Sequence, residues 1–202
     1  MKVIGITGGV GAGKSEILSF LEGEYRCVAI RADDVANGLK RKGSDCYHRL
    51  TELLGKGILA EDGEIHNKRM AERIFSDPDL LSKVNGIVHP AVRKELIEQV
   101  ERARSCRLWD AVFIEAALLI EAGYTDFLDE LWYIEADTDL RTLRLEESRG
   151  YSREKTRDIM ARQLSAEEFR LHCDRVIDNS GAFEDTKEQL RVQLRRLQIR
   201  EG

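Results

Sequence analysis

The chain has 202 residues, 42% hydrophobic and 34% charged, with 32 basic against 37 acidic side chains and a formal net charge of −5. That length supports one good core with at most a small appendage, and the composition excludes a wholly disordered chain. The charge balance gives no general pull towards nucleic acid, and no apolar run approaches the roughly 20 residues that cross a bilayer.

Residues 3–7 (VIGIT) read as a short buried strand, β-branched and unbroken by charge. The glycine-rich segment GGVGAGKS follows. From Lys14, apolar Ile17, Leu18, Phe20 and Leu21 recur with helical spacing, and Gly23 is the expected stop. Residues 27–30 (CVAI) form a second strand that ends at Arg31-Ala32-Asp33-Asp34, and a crossover of this length implies parallel strands.

Helical periodicity dominates residues 35–107, which read as an insertion between two sheet strands. Asp77-Pro78 and His89-Pro90 punctuate it, because the residue before a proline is pushed out of the helical region. Ser76 or Asp77 is expected to cap a helix with Pro78 in its first turn, and Pro90 to open the next.

The sheet resumes at residues 111–114 (AVFI), ending at Glu115, and again at 130–136 (ELWYIEA). Residues 137–149 are helical, and two further helices follow with Ser152 and Ser165 as caps. Ser165-x-x-Glu168 is a capping box. Residues 175–177 give a last strand and 183–199 a closing helix. This order predicts a three-layer α/β/α fold with a parallel sheet.

GGVGAGKS fits G-x-x-x-x-G-K-[ST] with Gly8, Gly13, Lys14 and Ser15, and it has the strand before and the helix after that the motif requires. Glycines let the backbone wrap an anion, and the helix adds its N-terminal N–H groups and dipole. Lys14 reaches β- and γ-phosphates and Ser15 offers a hydroxyl to Mg²⁺. The segment therefore predicts a nucleoside triphosphate site in a P-loop NTPase fold.

Asp33 and Asp34 follow the second strand, at the end of a parallel sheet where ligands sit. Asp33 is the candidate that takes a proton from an acceptor hydroxyl or organises Mg²⁺, while Asp34 is expected to cap the helix beginning near Val35. Glu115 occupies a Walker-B-like place, where an acid holds metal through water. His89 alone reads as a helix-boundary histidine. Arg141, Arg144, Arg149, Arg153, Arg157 and Arg162 cluster with Glu146, Glu147, Glu154 and Asp158. Phosphoryl transfer needs cations delivered by a closing lid, and Arg149 in SRGYS is the favoured one.

Together the segments ITGGVGAGKS, AIRADDVA, EDGEIHNKRMAERIF, IVHPAV, EAALLIEAGY, SRGYS, ARQLS and VIDNSG resemble the dephospho-coenzyme A kinase family almost end to end. The resemblance implies ATP-dependent phosphorylation of the ribose 3′-hydroxyl of dephospho-CoA, giving CoA and ADP. It implies a single P-loop kinase domain: a core at about 1–34, 108–140 and 174–202, a helical acceptor-binding insertion at about 35–107, and a lid at about 141–173. Carried over by position, Gly11, Ala12, Gly13, Lys14, Ser15 and Glu16 line the ATP phosphates, and Asp33 faces the acceptor hydroxyl. Arg149 lies in the lid, His89 matches the helical-domain HP step, and Asn179 lies near the adenine. Ser15 and Glu115 are the candidate Mg²⁺ residues. Four positions depart from the family pattern: Arg31 in place of the first Asp of a "DAD" segment, Asn67 in place of an arginine, Ala117 in place of a proline, and Glu16 in place of a threonine.

The implied mechanism is direct in-line transfer, with Mg²⁺ bridging phosphates, Lys14 and Arg149 stabilising charge, and Asp33 orienting or deprotonating the hydroxyl. A nucleoside or nucleotide monophosphate kinase would share the loop and lid. A GTPase-type switch would carry N/T-K-x-D, and Asn67-Lys68-Arg69-Met70 lacks the aspartate. Cys27, Cys46, Cys106 and Cys173 form no CxxC pair, and the N-terminus lacks a signal peptide, so the expected compartment is the cytoplasm. The expected partner is the small-molecule substrate, without nucleic acid or membrane, in a monomer or weak homo-oligomer.

Overall fold

A computed structural model describes residues 1–75, 77–116 and 118–202. In chain order the elements are β1 (Lys2–Thr7), α1 (Lys14–Glu24), β2 (Cys27–Arg31), α2 (Ala32–Leu39), α3 (Asp45–Leu54), α4 (Asn67–Phe75) and α5 (Pro78–Cys106). There follow β3 (Ala111–Glu115), β4 (Glu130–Glu135), α6 (Thr138–Arg149), α7 (Arg153–Met160), α8 (Ala166–His172), β5 (Arg175–Asp178) and α9 (Phe183–Arg196). The chain divides into two compact units, one of Met1–Ile30 with Val100–Gly202 and one of Arg31–Gln99.

The first unit is built on the expected three-layer α/β/α plan, around a five-stranded parallel sheet of order β2-β3-β1-β4-β5. β1 is central. It pairs with β3 from Lys2↔Ala111 to Ile6↔Glu115, and with β4 from Ile4↔Glu130 to Thr7↔Tyr133. Alternation along each strand sends one set of side chains to each face. Ile4, Ile6, Phe113, Trp132 and Ile134 join Ile17, Leu18 and Leu21 of α1 and Leu190 and Leu194 of α9 in one buried cluster. On the other face Tyr133 stacks on Phe169 of α8, with ring centroids 4.7 Å apart. The strand order reverses beside β1, so the segment after β1 opens at the crevice where parallel sheets bind ligands.

Ser152 caps α7, accepting from Lys155 N–H, and Ser165 with Glu168 makes both halves of the expected capping box on α8. α1 continues past Gly23 to Glu24, because a single exposed glycine weakens a helix without ending it.

The second unit is helical. Cys46, Leu50, Leu54, Ile58, Met70, Leu80 and Val84 form its core. Ser44 caps α3 by accepting from Tyr47 N–H, and the Tyr47 hydroxyl donates to the Gly63 carbonyl at 2.7 Å. Asp77 caps α5, accepting from Leu80 N–H at 3.0 Å. Ser76, the other expected cap, lies outside the described residues.

Two expectations are corrected here. Pro90 does not open a new helix: it lies inside the 29-residue α5. A proline costs a helix one donor and crowds the carbonyl four residues back, a penalty of about 3 kcal/mol. Here that residue is Gly86, which brings no side chain of its own to the crowded turn. Leu80, Val84, Val92, Leu96 and Val100 are buried at four-residue spacing on both sides of the proline. Burying a continuous stripe outweighs the lost bond. Asp34 is not a helix cap either. α2 begins at Ala32 with Arg31 as its N-cap, so Asp33 and Asp34 both lie in its first turn.

Candidate active site

The segment between β1 and α1 folds as a glycine loop with three left-handed residues, Gly8 (φ 146°), Gly11 (φ 79°) and Gly13 (φ 90°). A side chain at Gly8 would meet the Ile134 carbonyl oxygen at 2.5 Å, and one at Gly13 would meet Asn179 Nδ2 at 2.3 Å. Gly13 is the N-cap of α1, and no side chain among the described residues caps that helix. Glu16 and Ile17 N–H donate to the Gly13 carbonyl, and the positive end of the helix dipole faces the loop, where it favours an anion.

Lys14 turns back across the loop. Its ammonium donates to the Gly8 carbonyl at 2.8 Å and lies 3.7 Å from the Glu115 carboxylate at the end of β3. Both side chains are largely withdrawn from water, at 10% and 16% exposure. Ser15 and Glu16 are exposed at the start of α1.

Asn179 is 1% exposed. Its Nδ2 donates to the Ala12 carbonyl at 2.8 Å and its Oδ1 accepts from the Thr186 hydroxyl at 2.9 Å. Its main-chain N–H donates to Glu135 O and its carbonyl accepts from Arg144 Nη2. With every polar group engaged inside the protein, Asn179 buttresses the loop from behind.

Of the arginine cluster, Arg141 and Arg144 reach the loop. Arg141 Nε donates to the Val10 carbonyl at 2.9 Å. Arg144 Nη2 holds Asn179, while its Nη1 is buried and has no hydrogen-bond partner among the described residues. That nitrogen would lie 3.6 Å from a side chain at Gly13, so an unused guanidinium donor borders the anion cradle. Arg149 ends α6 with its side chain exposed and its guanidinium 6.0 Å above the Tyr151 ring. Arg153 pairs with Glu146 at 3.1 Å.

In the helical unit Asp33 is exposed in the first turn of α2. Lys40, at the end of the same helix, is half-buried. Burial lowers its pKa, and the nearby Cys46 and Asp33 oppose that shift. Lys40 Nζ donates to Asn67 Oδ1 at 3.3 Å, so a lysine stands beside the expected base and the asparagine alike. His89 lies inside α5, half-buried, and burial lowers its pKa. Ala117 lies outside the described residues. Sequence reasoning placed Arg141 and Arg144 in the arginine cluster but favoured Arg149, quoted Gln163 only within ARQLS, and gave Lys40 no role. The one available signal was for Arg141, which stands four residues before buried Leu145 and therefore on the inward face of α6.

Such a site can hold a polyphosphate against a backbone cradle with Lys14 and Arg144 as cations. No three His, Cys, Asp or Glu side chains among the described residues converge on a metal position. Ser15 and Glu115 suit an ion such as Mg²⁺, which takes few protein oxygens and completes its shell with phosphates.

The family model for dephospho-CoA kinase matches residues 2–185. The dephospho-CoA kinase of Streptococcus mutans is 36% identical over 197 residues, covering 98% of each chain. That of Corynebacterium diphtheriae is 32% identical over 194 residues, covering 96% of each. A crystal structure of TT1252 from Thermus thermophilus superposes with a TM-score of 0.83 at 28% identity, covering 97% of each chain. The dephospho-CoA kinase from Campylobacter jejuni, at 21% identity and a TM-score of 0.68 over 96% of this chain and 97% of that one, shares the fold.

Proposed function

The chain belongs to the dephospho-CoA kinase family, and we propose that its glycine loop holds ATP while Asp33 serves the ribose 3′-hydroxyl of dephospho-CoA. The reaction is transfer of phosphate from ATP to dephospho-CoA, giving CoA and ADP. The observation that carries this reading is the family match across residues 2–185 on a chain whose loop keeps Lys14 and Ser15.

Each residue has a role that its surroundings support. Gly11 to Glu16 cradle the phosphates, and Lys14 neutralises charge at the β- and γ-positions. Asp33, an exposed carboxylate in a helix first turn, accepts the proton that the 3′-oxygen loses as it bonds to phosphorus. Lys40, at the far end of the same helix, donates to Asn67 and adds a cation to the acceptor side. His89 contributes to the acceptor side and Arg149 to the lid. Asn179 serves the ATP site by fixing the loop under the nucleotide. When bound, Mg²⁺ supplies positive charge across the phosphate oxygens, with Ser15 and Glu115 as the residues that would hold it. No helix among the described residues is long and apolar enough to cross a membrane, and the four cysteines are free thiols. Both observations support a reducing cytoplasmic setting.

Replacing Asp33 tests the assignment. Asp33→Asn should lower kcat by roughly 10²–10⁴-fold, the span of a general base, and leave the ATP dissociation constant within about twofold. Near-normal turnover would remove Asp33 from the chemistry.

A further inference from the structure

Arg141 and Gln163 close a ring of hydrogen bonds around one residue of the glycine loop. Val10 N–H donates to Gln163 Oε1 at 3.0 Å, and the Val10 carbonyl accepts from Arg141 Nε at 2.9 Å. The ring closes where Arg141 Nη2 donates to the same Gln163 oxygen at 3.1 Å. Both main-chain polar groups of Val10 are therefore held by side chains from α6 and from the segment after α7.

The loop's composition follows this ring. A side chain at Gly9 would stand 2.2 Å from the Arg141 guanidinium, and one at Gly11 would stand 2.8 Å from the Arg141 carbonyl. The phosphate motif requires glycine at neither position. Gly9 and Gly11 thus leave room for Arg141 against the loop, and Gly11 also supplies a left-handed turn at φ 79°.

Packing does not by itself fix the segment that carries Gln163. It borders an open pocket of about 470 Å³ lined by Tyr133, Ala136, Arg141, Met160, Gln163 and Leu164. Gln163 N–H donates to the Met160 carbonyl at 3.1 Å, and the Gln163 side chain is tied to Val10 and Arg141. Arg141 is half-buried, which lowers its pKa, and its acceptors in the ring are the neutral Val10 carbonyl and Gln163 amide oxygens.

We propose that Arg141 and Gln163 are positioning residues that preset the glycine loop for ATP, an inference that rests on reading this loop as the ATP site. A glycine-rich segment loses more conformational freedom on ordering than any other, and a loop ordered in advance spares nucleotide binding that loss. The pair touches Val10 and leaves the reacting atoms to Lys14 and Asp33. The effect therefore falls on ATP affinity and not on the chemical step.

The test uses Gln163→Met, which keeps the side-chain length and removes the acceptor, and Arg141→Met. Folding of each is checked by thermal unfolding. Amide exchange at Val10 in the nucleotide-free protein should quicken at least tenfold in either variant. ATP binding measured by calorimetry should weaken by about tenfold, with kcat at saturating ATP and KM for dephospho-CoA both within threefold of the parent. Gln163→Glu should retain Val10 protection, because the ring uses only the acceptor oxygen. Unchanged exchange at Val10, or a collapse of kcat with ATP affinity intact, would overturn the proposal. Exchange is read without nucleotide or acceptor. If the parent protein fails to bind ATP, the reading of the loop fails while the ring is still tested by exchange.

Discussion

The Lys14 ammonium lies 3.7 Å from the Glu115 carboxylate, joining the start of α1 to the end of β3 beneath the glycine loop. The parallel register that sets Ile6 opposite Glu115 makes this pairing possible. The lysine is held in place by an acid and by the Gly8 carbonyl, so its charge already faces the cradle before a phosphate arrives.

Lys14→Met should therefore do two things. Turnover of ATP should fall by at least about 10²-fold, as expected for a preorganised cation at the transferring group. Stability should fall by roughly 1–3 kcal/mol, because the mostly buried Glu115 carboxylate and the Gly8 carbonyl both lose the ammonium between them. A coupled ADP assay and urea unfolding read the two effects.

Two glycines should answer oppositely to alanine. Gly13→Ala forces a side chain to φ 90° and to 2.3 Å from Asn179 Nδ2, and it should abolish detectable ATP binding and cost about 1–3 kcal/mol. Gly23 is exposed inside α1 with nothing within 4 Å, so Gly23→Ala should stabilise the protein by about 0.5–1 kcal/mol. Nucleotide titration and thermal unfolding of the two variants check both signs.

Asp110 gives a pH signature remote from the loop. Hydrogen bonds from the Arg200 guanidinium, at 2.6 and 2.8 Å, hold its pKa down at about 2. A carboxylate with a depressed folded pKa contributes stability that is present above its ordinary value of 3.8 and lost as pH falls towards 2. Arg200→Met should lower Tm by a few degrees at pH 7, and the gap should close as the pH approaches 2. A gap that stayed constant with pH would show that Arg200 acts through packing.

Much of this was legible in the chain. β1 is apolar on both sides because a central parallel strand is covered on both faces, and the glycine loop, Ser152 and the Ser165–Glu168 box mark their helices by local chemistry. Pro90 was illegible because its local rule is overridden by a buried stripe running from Leu80 to Val100. The start of α2 was missed because Ala32 is helix-competent but follows a β-branched strand directly. Arg149 stands out as a loop-edge charge, whereas Arg141 meets the loop at Val10 and Arg144 meets Asn179, contacts more than 30 residues away in sequence. Gln163 lies in the ARQLS segment that carries part of the resemblance, but its role becomes visible only when Val10 faces it.

The most direct measurement is product formation from ATP and dephospho-CoA, set beside AMP, CMP and nucleosides as competing acceptors. The account predicts ADP and CoA in equal amounts, with a new phosphate monoester at the ribose 3′-position and a kcat/KM for dephospho-CoA at least about 10²-fold above the others. Preferred phosphorylation of a nucleoside monophosphate, or ADP released without CoA, would contradict it.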